Sequence, residues 1–184
     1  MVAATARELA APGAWRTLRC GVGPVEAAAA TAAAIASLHP AAVLHVGVAG
    51  ARRHRALAPA AIVVGTEARY CDLPASIPPA WAPRTVDASP LLVAAVQRVV
   101  PGAVSLPIGT SARVGGTTGC DVEAMEGFGV LRAAQLAGVP AVEVRAISND
   151  VEEEDRARWR LDDAFAAITG ITPRLVSELL RCVS

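Results

Sequence analysis

Two glutamates and a Ser-Asn-Asp triplet are the polar groups of this chain best placed to do chemistry. Glu8 directly follows a first apolar segment, Met1 to Thr5, and Ser148-Asn149-Asp150 directly follows another, Ala141 to Ile147. Between them, Gly47-Val48-Ala49-Gly50 closes a third such segment, Ala41 to Val46. Short apolar runs of this kind read as buried strands, and in open α/β sheets ligands gather at the carboxyl ends of strands. Glu126 adds a fourth group at the expected start of a helix, where the macrodipole and free N–H groups favour an ionised carboxylate. Carboxylates act as general bases or accept from hydroxyls, and an amide both donates and accepts.

Each of these residues also has a plainer reading. Glu8 and Glu126 are ordinary first-turn glutamates if exposed, although the Gly-Phe-Gly that follows Glu126 suits a surface helix poorly. Gly47 and Gly50 need only make a tight turn. Gly21-Val22-Gly23 before a helix suggests a phosphate cradle, but it lacks the third glycine of the dinucleotide fingerprint and any nearby lysine. Neither NAD nor a P-loop is expected there. Arg145 falls two positions after Glu143, on the same strand face, as either a buried ion pair or a substrate contact. The run Glu152 to Asp155 reads as a solvated acidic turn, and Trp159 as a core anchor.

Elements that would position these groups alternate along the chain. Strands are expected at Met1–Thr5, Trp15–Val22, Ala41–Val46, Ala60–Thr66, Ala103–Ile108 and Ala141–Ile147. Pro24 suits the first position of an alanine-rich helix running to about Leu38. Further helices are expected at Leu91–Val100, at Glu126–Ala137 closed by Gly138, and at Leu161–Leu180 with an interruption near Gly170 and Pro173. Tyr70 to Pro90, punctuated by Pro74, Pro78, Pro79 and Pro83, reads as a long connection, and Arg113 to Gly119 as a glycine-rich turn. This alternation predicts an α/β fold, one domain over residues 1–184 with a mixed central sheet flanked by helices.

Composition narrows the partners. Seventeen basic and seventeen acidic residues cancel, which removes the electrostatic case for nucleic acid or anionic lipid. The longest apolar run, between Glu26 and His39, is about 12 residues against the ~20 needed to span a bilayer. The charged pair Arg7-Glu8 so close to the start argues against a secretory signal, so a soluble cytoplasmic protein is expected. Cys20, Cys71, Cys120 and Cys182 form no C-x-x-C pair, and with His39, His45 and His54 give no zinc-ligand spacing. Free thiols, no metal and no cofactor are expected. An apolar share of 53%, much of it alanine, is often absorbed by a subunit interface, which points to a homo-oligomer.

The order of these segments resembles the nucleoside phosphorylase and nucleosidase superfamily. The resemblance rests on Glu8 after a strand, then GVGPVEAAAA (21–30), HVGVAGA (45–51), EAMEGFG (123–129) and EVRAISN (143–149). The last two are the most specific, and the likeness is thin between about Ala68 and Thr118. Within the superfamily, SNDVEEEDRARW (148–159) is similar to the futalosine hydrolase branch. That resemblance implies a nucleoside-phosphorylase-like fold and a nucleosidase that releases hypoxanthine from futalosine for menaquinone biosynthesis. It implies that Glu8 activates water, that Glu126 holds the ribose hydroxyls and that Asn149 faces the purine N7 and 6-position. Gly50, Met125 and Ser148, in the same motifs, are implied as substrate-binding.

The chemistry agrees. Breaking a ribosyl–purine bond makes an oxocarbenium-like sugar and a base carrying negative charge. A base for water, a holder for the sugar and a donor at the purine are therefore needed. Adenine nucleosidases of the superfamily place Asp where Asn149 stands; an amide cannot deliver a proton but suits a 6-oxopurine, although Asp150 stands beside it. The rival readings are a purine nucleoside phosphorylase, a methylthioadenosine or S-adenosylhomocysteine nucleosidase, and a non-catalytic nucleoside-binding protein. Arg7, Arg52, Arg53 and Arg113 are available to hold a phosphate, which Glu8 would repel. Arg52, Arg53 or His54 is expected to meet the carboxylate of the 5′ extension of futalosine. Phe128, Asp150 and Glu154 depart from the family pattern.

Overall fold

The computed structural model describes residues 1–116 and 118–183. Among the described residues, eight strands are β1 (Val2–Ala3), β2 (Leu18–Arg19), β3 (Val43–Ala51), β4 (Ile62–Tyr70), β5 (Thr85–Asp87), β6 (Val104–Thr110), β7 (Val122–Ala124) and β8 (Ala141–Asp150). Four α-helices are α1 (Pro24–Leu38), α2 (Pro90–Val99), α3 (Gly127–Leu136) and α4 (Leu161–Val183). The sheet is mixed, as expected. β1, β2, β3 and β8 run parallel, whereas β4 is antiparallel to β8 and β7 is antiparallel to β3.

The pairings also close a ring that the strand pattern does not reveal. β3 pairs β8, β8 pairs β4, β4 pairs β6, β6 pairs β7, and β7 returns to β3. Ala49, Val63, Ile108, Val122 and Ile147, one from each of these strands, form a buried cluster together. α1 and α3 bury Ala27, Ile35, Val130, Leu131 and Ala134 in a second cluster. α2 and α4 bury Leu92, Val96, Ile168, Leu175 and Leu179 against Leu44, Val46, Val142 and Val144 of the sheet. Helices thus cover both sides.

Local chemistry explains most boundaries. α1 starts with Pro24 as its first residue after Gly23, whose φ of +96° is accessible to glycine and strained for other residues. Gly129 lets α3 lie against α1, since a Cβ there would stand 2.5 Å from the Pro24 carbonyl oxygen. Four expectations need correction. The strand expected over Trp15–Val22 is only Leu18–Arg19, because its partner β1 is itself two residues long and Gly21 turns the chain at φ +82°. Strands β3 and β8 continue through Gly47–Gly50 and Ser148–Asp150 instead of ending before them, since each supplies the other's ladder. The connection from Tyr70 to Pro90 carries β5, paired to β4.

The interruption expected near Gly170 and Pro173 is absent from α4, which runs unbroken. Its buried stripe of Ala164, Ile168, Thr172, Leu175 and Leu179 continues past Pro173 and holds the helix on the sheet. Thr172 Oγ1 also donates to the Ile168 carbonyl at 2.7 Å, one turn back beside the proline. The four cysteines are free thiols. Among the described residues, no helix is long and apolar enough to cross a membrane. Within the expected turn Arg113–Gly119, Thr117 lies outside the described residues.

Candidate active site

A cleft of about 780 Å³, counting its open mouth, lies at the carboxyl ends of β1, β3 and β8. Glu8, Gly50, Met125, Glu126, Ser148 and Asn149, the six residues singled out from sequence, all line it. β1 delivers Glu8, β3 Gly50, the junction of β7 and α3 Met125 and Glu126, and β8 the Ser-Asn pair.

Glu8 is 3% exposed, so the reading of a surface glutamate fails. Its Oε2 accepts from the Thr5 N–H at 2.8 Å and the Thr5 hydroxyl at 2.7 Å, and its Oε1 accepts from the Val48 N–H at 3.3 Å. A carboxylate offers about four lone-pair sites, so one on Oε1 is left. Glu126 is 4% exposed. Its Oε1 accepts from the Gly23 N–H and its Oε2 from Arg145 Nη2, both at 3.2 Å, which leaves one site on each oxygen. The Gly21-Val22-Gly23 turn therefore holds a carboxylate of its own chain. Thr110 Oγ1 accepts the Phe128 N–H at 2.9 Å, the bond an N-cap side chain usually makes, so Glu126 at the cap position is released into the cleft.

Asn149 is aimed by a bulge. Ala49 of β3 pairs with Ile147 and the next residue, Gly50, pairs with Asn149, so Ser148 is the extra residue. The Ser148 hydroxyl lies 2.7 Å from Asn149 Oδ1 and 3.2 Å from the Ala49 carbonyl, and Asn149 Nδ2 donates to the Asp150 carbonyl at 2.9 Å. One Nδ2 hydrogen remains.

Beneath the two glutamates lies Arg145, 1% exposed. Of the two readings the sequence left open, the structure shows the buried ion pair, and the side chain also lines the cleft. Nε donates to Glu143 Oε1 at 2.7 Å, Nη2 to Glu126, and Nη1 to the Val48 carbonyl at 3.4 Å. Burial works against its charge, but Glu143, Glu126 and Glu8 outweigh burial and raise its pKa. Nη2 also lies 3.4 and 3.3 Å from the two ring nitrogens of His45. Burial first, then the Arg145 charge, hold the His45 pKa well below its ordinary value, so this imidazole is neutral.

Arg52, Arg53 and His54 do not line the cleft. They pair with Glu123 and Glu152, with Asp150, and with Asp121 respectively, because the turn after β3 leads away along the rim. Arg113 and Trp159 do line it, so the reading of Trp159 as a core anchor alone is too narrow. Trp159 is half-buried and donates from Nε1 to the Glu153 carbonyl at 3.1 Å. Glu123 was not singled out. Its carboxylate accepts from Gly116 N, Thr118 N, Thr118 Oγ1 and Arg52, and so ties down the turn that carries Arg113. A glutamate on an apolar three-residue strand was the available signal. Phe128 stacks on Tyr70 with ring centroids 5.2 Å apart, which accommodates its bulk. Among the described residues, no group of three or more His, Cys, Asp or Glu is placed to hold a metal ion.

Comparison with known proteins identifies the family. Residues 16–181 match the family model of the phosphorylase superfamily. A futalosine hydrolase of Streptomyces coelicolor is 36% identical over an alignment of 191 positions, which covers 91% of this chain and 81% of that protein. Among solved structures, the futalosine hydrolase of Helicobacter pylori superposes with a TM-score of 0.82 at 17% identity, covering 96% of each chain. A 5′-methylthioadenosine/S-adenosylhomocysteine nucleosidase of Colwellia psychrerythraea in complex with adenine gives 0.80 at 21%, covering 99% of this chain and 93% of that one. At those identities the structures speak for the fold. The family match and the Streptomyces relative go further, and the chain belongs to the phosphorylase superfamily and, within it, to the futalosine hydrolase family.

Proposed function

We propose that this protein hydrolyses the N-glycosidic bond of futalosine and releases hypoxanthine, as a cytoplasmic step of menaquinone biosynthesis. The observation that carries the reading is the meeting of Glu8, Glu126 and Asn149 in one cleft, each with hydrogen-bonding capacity left over. The free site on Glu8 Oε1 takes a proton from water as the water oxygen bonds to C1′ of the ribose. The two free sites on Glu126 accept the two ribose hydroxyls. As the C1′–N9 bond breaks, its electron pair goes to the purine. The remaining Nδ2 hydrogen of Asn149 stabilises that charge at N7 and the 6-oxygen, and the proton taken by Glu8 returns through water to the purine, which leaves as neutral hypoxanthine and restores the carboxylate. Gly50, Met125 and Ser148 complete the substrate contacts, Ser148 by fixing the amide.

Phosphorolysis is less well supported. Of the four arginines named for a phosphate, Arg7 is paired to Asp162, and Arg52 and Arg53 to the carboxylates named above; Arg113 lines the cleft, and so does Glu8, whose carboxylate would repel the anion. The test is hypoxanthine release from futalosine, followed by chromatography with and without phosphate, beside Glu8→Gln. Phosphate-independent release that falls by roughly 10²-fold or more in the variant is expected for loss of a general base. Release that requires phosphate, or a variant as active as the parent, overturns the reading. We also propose a homo-oligomer, since Val25 and Leu136 stand exposed on α1 and α3.

A further inference from the structure

Glu143 is a buried ionisable group to which the proposed reaction gives no task. It stands on β8 two residues before Arg145, so both side chains leave the strand on the same face. Oε1 takes the Arg145 Nε–H at 2.7 Å, while no described donor reaches Oε2. That oxygen lies against Gly127, the first residue of α3, so closely that a Cβ there would stand 2.1 Å from it. Burial pushes the Glu143 carboxyl up, and Arg145 works against this. The N-terminus of α3 adds positive potential on the same side, favouring the carboxylate. Arg145 is thereby held along one edge by Glu143 and reaches Glu126 with another, and neutral His45 brings no competing charge.

We propose that Glu143 is a positioning residue for the hydrolysis. Acting through Arg145, it fixes where the Glu126 carboxylate meets the ribose hydroxyls. Planar guanidinium makes this transmission stiff, because a turn at Nε carries Nη2 with it. The inference rests on Glu126 being the group that holds the ribose. Removing the Glu143 charge lets Arg145 swing towards Glu126, and the cost then appears only when there is a hydroxyl to hold.

The experiment compares Glu143→Gln and Glu126→Gln with the parent on futalosine and on its 2′,3′-dideoxy analogue, which offers Glu126 neither ribose hydroxyl. Glutamine keeps the volume and one acceptor oxygen. For Glu143→Gln, kcat/KM on futalosine is expected to fall roughly tenfold and on the dideoxy analogue less than about threefold, the coupling expected of groups in one network. Equal losses on both substrates, or none on either, overturn the proposal. Should Glu143→Gln fail to fold, Glu143→Asp, which keeps the charge on a shorter arm, carries the same comparison with the same criterion. Glu126→Gln separates the two levels of the argument. If it harms both substrates equally, Glu126 does not hold the hydroxyl and this inference falls with that reading. If it is hydroxyl-selective and Glu143→Gln is not, only the inference falls.

Discussion

Adding one methyl group at Gly47 tests the geometry beneath the two cleft carboxylates, Glu8 and Glu126. A Cβ at this position would stand 2.2 Å from Arg145 Nη1 and 2.8 Å from Glu8 Oε1. Against a contact distance of ~3.4 Å, Gly47→Ala requires Nη1 to withdraw by about 1.2 Å and Oε1 by about 0.6 Å. Arg145 has nowhere to go. It is 1% exposed, and Glu143, Glu126 and the Val48 carbonyl hold its three nitrogens. Overpacking of this kind costs about 1–3 kcal/mol of stability. A displacement near 1 Å at a reacting group lowers rate by roughly 10²-fold. Hypoxanthine release measured beside a urea midpoint reads both effects. Gly50→Ala is the control, since its Cβ would meet Asn149 Nδ2 and Val151 Cγ2 at 3.1 Å and needs a shift of only a few tenths of an ångström. Its kcat/KM should fall by less than about tenfold. A Gly47→Ala protein within threefold of the parent in kcat/KM and equal in stability would refute the placement of Arg145.

His45 sets a pH dependence with a definite sign. Folded His45 stays neutral while the unfolded residue takes a proton near 6.5, so below that pH the unfolded state binds more protons. Stability is therefore lost as pH falls below about 6.5, by up to ~1.4 kcal/mol per unit from this residue. Urea unfolding at pH 7.5, 6.5 and 5.5 should show a shallower decline in His45→Gln than in the parent, and equal slopes would count against a buried neutral ring. Asn149→Asp supplies a proton donor at the purine. It should move the ratio of adenine to hypoxanthine release towards adenine when matched 6-amino and 6-oxo nucleosides are compared, and an unchanged ratio would show that this side chain does not face the base.

How far the sequence could be read followed from how local each signal was. The boundaries of α1 were legible because proline at its first position and glycine before it act within a few residues. Glu8, Glu126 and Asn149 were legible because each sits at the end of an element with a pattern of its own. β7 was not, since three residues after a glycine-rich turn owe their strand geometry to β3 and β6 on either side. Closure of the ring through β4 and β8 lies likewise in pairing between distant segments. Arg52, Arg53 and His54 lie outside the cleft lining for a related reason. Proximity in sequence to Gly50 says nothing of direction, and acidic partners from residues 121, 123, 150 and 152 draw these side chains to the rim.

Arg145 shows why such a network persists in a core at all. A buried ion pair is weak evidence of stability, because desolvation of both charges offsets most of their attraction, and apolar replacements of similar volume are often as stable. Here the charge is buried among Glu143, Glu126 and Glu8, and an acceptor at Glu143 Oε2 is left without a donor among the described residues. An arrangement selected for stability alone would satisfy that oxygen or remove it. What the arrangement does provide is direction. One rigid guanidinium ties β8 and the Val48 peptide of β3 to Glu126 at the head of α3, while the N–H of that same Val48 holds Glu8. The two carboxylates proposed for water and for ribose are thus both referenced to one residue, Val48, through the two peptide units that flank it, so their separation is set by bonds and not by the packing of loops alone.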